Sequence, residues 1–318
     1  MEVAMRVFVA GAGGAIGSAL IPALRGYGHA VAGMTRSAEK AGRIRALGAE
    51  PVIADALDRT AVAAAVSAWR PDVVIHELTA LPAAPDLRRF DAAFAVTNRL
   101  RTEGLEILIA AAEAAGARRF LAQSFAGWPF ARTGGAVKTE TDPLDTDPPP
   151  GFAETLRAIR FLETRVTGLT AMTGLVLRYG GFYGPGTGIA PEGTLVAALK
   201  RRRLPIVGTG GGVWSFIHID DAAEATALAV ECGAAGIYQI VDDAPAPVAE
   251  WLPALVAAAG AKPPRHVPAW LARLLIGRGG VLMMTAARGA DNAKAKAALG
   301  WRLRWPHWRE GFPAALGR

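Results

Sequence analysis

Cysteine, tyrosine and histidine are scarce in this chain of 318 residues, and each shortage excludes some chemistry. The single cysteine, Cys232, excludes an internal disulfide and a thiolate metal cluster, as is typical of a reducing compartment. No tyrosine stands four residues before a lysine anywhere in the chain, and no two histidines have the spacing of metal ligands. The sequence therefore predicts no metal site.

Long apolar runs are also missing. No run reaches the roughly 18 to 20 residues that cross a membrane, and the opening MEVAMRVFVAGAGG lacks the basic region, apolar core and cleavage site of a signal peptide. We therefore expect a soluble, cytoplasmic protein with no membrane partner. The hydrophobic content of 52% over 318 residues suffices for one large domain, or for a domain with a smaller lobe.

The net charge of +7 comes mostly from arginines that are scattered along the chain. One basic run, Lys200 to Arg203, is typical of a solvated helix end. A nucleic-acid interface would combine such a run with a recognition motif or interleaved aromatic residues, and neither accompanies it. We therefore expect a small molecule, and not nucleic acid, as the partner.

Short apolar runs alternate with helix-patterned segments through the first half of the chain. This alternation predicts right-handed crossovers and a parallel sheet that is covered on both faces. The predicted fold class is α/β, a Rossmann-like doubly wound parallel sheet with a smaller C-terminal substrate lobe. Residues 133–151 are rich in Gly, Asp and Pro and predict a long loop. We assign residues 1–185 and 216–242 to the sheet domain, and residues 186–215 and 243–318 to the substrate-binding lobe.

Three glycines, Gly11, Gly14 and Gly17, directly follow the first predicted strand and open the first helix. Glycine suits these positions because the chain turns sharply, a pyrophosphate approaches the backbone closely, and the helix packs tightly on the strand. The helix N-terminus adds free N–H groups and a positive dipole. In this context the pattern predicts a dinucleotide-binding site.

The end of the second strand indicates which dinucleotide binds. An NAD site usually offers a carboxylate to the ribose hydroxyls there, whereas this chain has Thr35, Arg36 and Ser37. Arginine and hydroxyl groups suit a 2′-phosphate, so we predict NADP(H) as the cofactor. Asp55, Ala56 and Leu57 follow the third strand and are predicted to meet the adenine, although helix capping is equally natural for Asp55 or Asp58.

Further motifs extend along the whole chain: DVVIH, RRFLAQS, LRYGGFYGPG, LPIVGTGGGVWSFIHIDDAAEA and NAKAKAALGW. With them the chain resembles the extended short-chain dehydrogenase/reductases, the NAD(P)-dependent epimerase/dehydratase family. The resemblance implies a homodimer as one option, built from helices at the fourth and fifth crossovers. It also implies further cofactor contacts by Ala15, Ile16, Gln123, Tyr179, Gly181 and Phe182.

Members of that family use a Ser or Thr, a Tyr and a Lys together. The Tyr hydroxyl exchanges a proton with the substrate oxygen, while the Lys lowers its pKa and holds the ribose. Ser124 matches the serine. Counting back from Glu163, which resembles the glutamate that commonly follows the pair, the Tyr and Lys positions hold Thr155 and Ile159. Because an aliphatic hydroxyl is far less acidic than a phenol, Thr155 is a catalytic candidate by position alone.

Two phenols, Tyr179 and Tyr183, follow the sixth strand, where family members contact the nicotinamide, and either could replace the missing acid. The candidate catalytic residues are therefore Ser124, Tyr179 and Thr155. Trp128, Phe130 and Trp214 are candidates to line an aromatic substrate pocket, with core packing as the alternative for Trp214.

The chain is also similar to atypical family members that lack the Tyr-Lys pair and act as ketoreductases on aromatic polyketide antibiotics, the angucyclinones among them. That resemblance implies NADPH-dependent reduction of a ketone on an aromatic small molecule, with the proton supplied by water or by a phenol of the substrate. Two alternatives stay open, a non-catalytic NADP(H)-binding sensor or scaffold and a sugar-nucleotide epimerase or dehydratase. The last depends most directly on the missing pair.

Overall fold

The computed structural model describes residues 4–82 and 86–317. Seven parallel strands form its central sheet, and most of their side chains are buried because helices cover both faces. In chain order they are β1 (Arg6–Ala10), β2 (Ala30–Thr35), β3 (Glu50–Ile53), β4 (Val73–His76), β5 (Arg119–Phe125), β6 (Thr173–Tyr179) and β7 (Gly236–Ile240). Their spatial order is β3-β2-β1-β4-β5-β6-β7, which confirms the predicted doubly wound sheet.

The helices connect these strands and build the lobe. They are α1 (Ala15–Gly26), α2 (Ala38–Ala46), α3 (Arg59–Trp69), α4 (Phe90–Ala93), α5 (Ala95–Arg99), α6 (Leu105–Ala114), α7 (Ala153–Thr167), α8 (Thr194–Lys200), α9 (Ile219–Glu231), α10 (Val248–Ala258), α11 (Ala269–Thr285), α12 (Ala293–Leu299) and α13 (Trp308–Ala315). A 3-10 turn, Leu87–Arg89, precedes α4, and a π-helical turn, Leu100–Gly104, joins α5 to α6. Among the described residues no helix is long and apolar enough to cross a membrane.

Two apolar clusters hold the sheet domain together. Residues of α1 and α9 pack on one face, and residues of α3, α6 and α7 pack on the other. Side-chain caps begin two helices of the sheet domain. The Ser37 side chain accepts a hydrogen bond from the Lys40 N–H at the start of α2, and Asp58 accepts from the Thr60 and Ala61 N–H groups at the start of α3.

A third cluster forms the core of the lobe, around Trp251, Trp308 and Phe312. Helix α11 is bent sharply at Gly277, whose φ is 73°, and Ala269 and Thr285 both lie beside Gly208. The helix is therefore a tight hairpin with a glycine at its tip, because only glycine adopts that backbone conformation without strain.

The lobe prediction needs one correction. Leu299 and Trp301 belong by packing to the cluster on the α1 and α9 face of the sheet, although they fall in the segment assigned to the lobe. Helix α12 also contacts β7, the edge strand. Sequence position alone could not show this return of the chain, because α12 is short and carries a generic apolar pattern.

The spatial order of the strands reverses between β1 and β4. In open sheets of this type the ligand binds outside the carboxyl ends of the strands at such a reversal. The candidate residues at the ends of β1, β2, β4, β5 and β6 all lie along this edge.

Candidate functional site

The turn between β1 and α1 is built so that glycine is required. Gly11 has a φ of +99°, and a Cβ there would lie 2.4 Å from the Glu77 carbonyl oxygen. A Cβ on Gly17 would lie 2.5 Å from the Gly11 carbonyl oxygen, which explains the close packing of helix on strand. Gly14 begins α1 without a side-chain cap, and Ala15 and Ile16 form the first turn, which contains no acidic residue. The backbone N–H groups of this first turn, at Ala15 and Ile16, fit a pyrophosphate.

The end of β2 offers hydroxyl and cationic groups. The Thr35 Oγ1 accepts a hydrogen bond from the Ser37 N–H at 3.2 Å, and the Arg36 side chain is 64% exposed. A Cβ on Gly13 would lie 2.8 Å from the Lys40 Cδ, so the Lys40 stem lies against the glycine turn. Lys40 was not predicted from the sequence, although its place in the first helical turn after Ser37 was an available signal.

Asp55 and Leu57 form a local turn in which the Leu57 N–H donates to Asp55 Oδ1 at 2.9 Å. The other carboxylate oxygen of Asp55 lies 4.0 Å from Arg36 Nη1, while Ala56 is buried. Of the two acids, Asp58 is the helix cap. Contact of residues 55 to 57 with adenine remains a prediction.

Ser124 is bound to a buried ion pair. Its Oγ donates to Glu163 Oε1 at 2.7 Å, and Arg178 donates to the same carboxylate from Nε at 2.7 Å and from Nη2 at 2.6 Å. All three residues are at most 5% exposed. Arg178 Nη1 is buried without a partner in the described part of the chain, and the guanidinium lies over the Phe130 ring. With its proton donated to Glu163, Ser124 has only oxygen lone pairs left for a ligand.

Thr155 and Ile159 lie on α7 and are buried. The Thr155 hydroxyl donates to Asp91 Oδ1 at 2.7 Å and accepts from Asn98 Nδ2 at 3.0 Å. Because its one proton is held by a carboxylate, Thr155 is not available as an acid. The candidate catalytic role is corrected to a structural one that joins α7 to α4 and α5.

The Tyr179 phenol is buried on the α1 and α9 face of the sheet. Its oxygen lies 2.9 Å from Glu77 Oε1 and 2.6 Å from Thr226 Oγ1, and the Thr226 hydroxyl donates to the Ala222 carbonyl at 2.7 Å. Burial raises the pKa of Glu77 to about 8, so this carboxyl is largely protonated at neutral pH. Burial and the nearby carboxyl also raise the pKa of Tyr179 well above its usual value.

When Glu77 carries a proton, the hydroxyl groups of Tyr179 and Thr226 can each donate and accept in sequence, while Glu77 Oε2 stays buried without a partner among the described residues. Thr226 donates onward, so it can accept from Tyr179, and Tyr179 can then accept from Glu77. Tyr179 is therefore a poor proton source, because its hydroxyl is held inside the protein. Glu77, which directly follows β4, was not predicted from the sequence.

The remaining candidate residues from the sequence differ in their surroundings. Gly181 pairs with Phe216 across a short parallel strand contact, Phe182 packs against Tyr179, and Gln123 has a buried Oε1 with no partner among the described residues. Tyr183 is fully buried and packs against Phe312 in the lobe, so it offers no exposed phenol either.

The aromatic candidates also separate. Trp128 lies edge-on to Phe90 and Phe152 and lines a narrow crevice between the 126–152 segment and α11. Phe130 is 1% exposed, and its ring packs against the Arg178 guanidinium. The Trp214 Nε1 donates to the Met283 carbonyl and the ring packs on Trp251, which agrees with core packing. A larger cleft of about 510 Å³ lies at the opposite edge of the sheet, near Arg118 and Thr173, far from these groups.

Residues 7–240 match the family model of the NAD dependent epimerase/dehydratase family. The chain belongs to this family, as the resemblance of its motifs implied. The match extends over the whole sheet domain, from β1 to β7.

Two relatives carry named activities. The chain is 49% identical over 311 residues, 97% of this chain and 99% of the other, to a 3-diazoavenalumate denitrifying reductase from Streptomyces sp. It is 30% identical over 265 residues, 81% of this chain and 74% of the other, to a 4-hydroxy-2-methyl-3-oxo-4-farnesyl-3,4-dihydroquinoline-1-oxide ketoreductase from Stigmatella aurantiaca. Together with the family, these relatives support an oxidoreductase that uses a nicotinamide dinucleotide.

Among solved structures, UDP-glucose 4-epimerase from Thermotoga maritima aligns with a TM-score of 0.74 and 24% identity, covering 98% of this chain and 97% of that chain. At this identity the likeness concerns the fold.

Proposed function

We propose that the protein uses NADPH to reduce a hydroxylated aromatic acid that carries a diazo group, with release of dinitrogen. One observation carries the proposal: the candidate proton donors of the site are already committed. The Thr155 proton is held by Asp91, the Ser124 proton by Glu163, and the Tyr179 hydroxyl lies between Glu77 and Thr226. A reaction that needs a proton from the protein at the reacting atom fits this arrangement poorly.

A diazo group removes that need. The bound dinucleotide would supply a hydride, and a diazonium cation plus a hydride balances as the hydrogen-substituted ring plus N2. Addition of a hydride to the terminal nitrogen would give an aryldiazene, Ar–N=N–H. Its N–H proton would then pass, directly or through water, to the ring carbon as the carbon–nitrogen bond breaks, so that N2 leaves and the ring gains hydrogen with no net proton from the protein. No alkoxide forms at the reacting atom, so no phenol and lysine are required to protonate one.

The protein would bind and orient such a substrate. Because Ser124 Oγ presents a lone pair, it can accept a hydrogen bond from a phenol hydroxyl of the substrate. The carboxylate of Glu163 polarises that serine, and the buried Arg178 keeps the carboxylate in place. Trp128 provides an apolar wall for an aromatic ring.

For the cofactor, we propose a preference for NADPH. Gly11, Gly14 and Gly17 leave room for the pyrophosphate, while Arg36 and Lys40 supply cations near the ribose end. A carboxylate in that place would repel a 2′-phosphate, and none follows β2 before Glu39.

Ketone reduction is the second candidate, favoured by the ketoreductase relative from Stigmatella aurantiaca. In that case the alkoxide would take its proton from water or from a neighbouring phenol of the substrate. The epimerase and dehydratase alternatives have less support, because they use the Tyr-Lys pair that Thr155 and Ile159 replace.

The test gives the purified protein NADPH with either a diazo-substituted phenolic acid or a ketone with a hydroxyl beside the carbonyl. We expect one N2 released per NADPH oxidised, measured by gas mass spectrometry and absorbance. If NADPH were oxidised in the presence of the ketone but not in the presence of the diazo compound, the diazo proposal would be contradicted.

Ser124→Ala separates the two reactions further. For the diazo compound we expect less than a tenfold loss of turnover, since Ser124 only orients the ring. If a serine donor stabilised an oxyanion, the loss would be roughly 10² to 10³.

A further inference from the structure

The crevice beside Trp128 has aromatic and aliphatic walls. Its lining includes Trp128, Phe152, Met283 and Ala287, which come from the 126–152 segment and from the second half of the α11 hairpin. It encloses only about 20 Å³, room for roughly one water molecule, so a ligand must displace flexible side chains. Met283 suits that role because an unbranched thioether adapts easily to a ligand.

Gly279 forms part of one wall of the crevice and lies directly against the Phe152 ring. A Cβ on Gly279 would lie 1.9 Å from Phe152 Cε2, so the hairpin and this ring are in direct contact. Phe152 also stacks on Phe90, with centroids 4.0 Å apart and rings 5° from parallel. The stacking on Phe90 holds the Phe152 ring in place at the wall of the crevice.

Two arginines lie at or beside this crevice. Arg132 lines it directly, and Arg288 follows the lining residue Ala287 and donates from Nη2 to the Arg132 carbonyl. Two cations beside an otherwise apolar crevice give it the character of an acid-binding site.

The two cations differ in how far they are already used. Arg132 pairs with Asp145 at 3.0 Å and donates to the Asp147 carbonyl at 3.0 Å. In the described ranges no carboxylate lies within ion-pair distance of Arg288, and its Nε is buried without a partner. Arg288 is half-buried, and leaving its buried Nε–H without an acceptor is costly, so an anionic ligand that accepts from Nε would remove that cost.

We propose that Arg288 binds the carboxylate of the substrate, with Arg132 held beside it by Asp145, and that this contact selects aromatic acids over neutral aromatic molecules. Resting on the proposed function, this inference adds the group by which the substrate is recognised. Arg288 orients the acid end while the ring lies against Trp128 and Phe152.

The test measures binding without turnover, so it does not depend on the diazo chemistry. The full chain with bound NADP⁺ is titrated calorimetrically with 4-hydroxycinnamate and with 4-hydroxycinnamamide, which differ only in the charged end. We expect the acid to bind at least tenfold more tightly, and Arg288→Met to reduce that ratio to below threefold. Arg288→Lys should keep part of the preference, because a cation remains.

A matched control is Arg165→Met on α7, whose guanidinium pairs with Glu106 on the surface and which should leave the ratio unchanged. Equal binding of the acid and the amide by the wild-type protein would overturn the proposal, and so would a tenfold preference that survives Arg288→Met. If Arg288→Met does not fold, the comparison of wild type with Arg288→Lys decides. A failure of the diazo reaction with a retained preference for the acid would count against the proposed function alone.

Discussion

The two sides of the cofactor crevice use their polar groups in opposite ways. On the dinucleotide side, α1 begins at Gly14 without a side-chain cap, and Arg36 and Lys40 are exposed. On the Ser124 side, the hydroxyl protons of Ser124 and Thr155 are both donated inward to carboxylates. The first side is available to a phosphate-rich ligand, whereas the second has no spare acid.

This difference explains how a chain can keep the family's cofactor site and lose its acid pair. Cofactor binding depends on backbone shape, which Gly11 and Gly17 preserve. Proton transfer in the family depends on one acidic side chain, and the position predicted for it holds Thr155, whose hydroxyl donates to Asp91. A substrate that accepts a hydride without a proton from the protein can therefore still react.

The strongest test concerns the Ser124 side, where the polar groups are already paired, and uses Glu163→Gln. This change leaves the buried Arg178 without its charge partner, and breaking a buried pair from one side typically costs about 3 to 5 kcal/mol. We expect the free energy of unfolding, measured by urea denaturation, to fall by about that amount. Glu154→Gln on the same helix is the control, because its pair with Arg157 is 59% and 67% exposed, and we expect a change below about 0.5 kcal/mol. Equal effects of the two changes would refute the contrast.

Gly11→Ala tests the dinucleotide side of the crevice. The new Cβ would overlap the Glu77 carbonyl oxygen, and the φ of +99° is strained for alanine. We expect dinucleotide affinity to fall at least a hundredfold, about 2.7 kcal/mol, in a fluorescence titration. Gly26→Ala in α1 is the control, because a Cβ there has nothing within 4 Å, and it should bind normally. Normal binding by Gly11→Ala would mean that the turn does not hold the pyrophosphate.

Glu77 lies at the boundary of the two sides, and its ionisation should appear in the pH dependence of stability. Its pKa is about 8 in the folded protein, against 4.5 ordinarily, so the folded state binds this proton more tightly. Stability should therefore fall as pH rises from about 4.5 to about 8. Glu77→Gln should flatten that decline in urea unfolding, although Asp242, whose pKa burial also raises to about 8, keeps part of it. An unchanged pH profile would show that Glu77 is ionised throughout.

The fold and the cofactor turn were predictable because their signals are local. Alternating apolar runs in the first half of the chain indicated the parallel sheet, and the glycine spacing indicated the turn before α1. The partners of the catalytic candidates were not predictable, since they depend on side chains far apart in sequence. Ser124 meets Glu163, and Thr155 meets Asp91, only after α7 packs beside β5 and α4.

The smallest expected effect concerns cofactor selection on the available side. We propose that Arg36 contacts the ribose 2′-phosphate, so Arg36→Ala should weaken NADPH binding, leave NADH binding nearly unchanged and remove most of an expected tenfold preference, about 1.4 kcal/mol. Lys40 lies against Gly13 in the turn, so its positive charge is close to the pyrophosphate position as well. Lys40→Ala should therefore weaken both dinucleotides, by about 0.5 to 1 kcal/mol each, because an exposed charge is screened by salt. Calorimetric titration of both cofactors measures the two patterns, with Arg43→Ala, in the last turn of α2, as the control. Equal affinity of the wild-type protein for NADPH and NADH would contradict the assignment of Arg36, and a Lys40→Ala loss confined to NADPH would move Lys40 from the pyrophosphate to the 2′-phosphate.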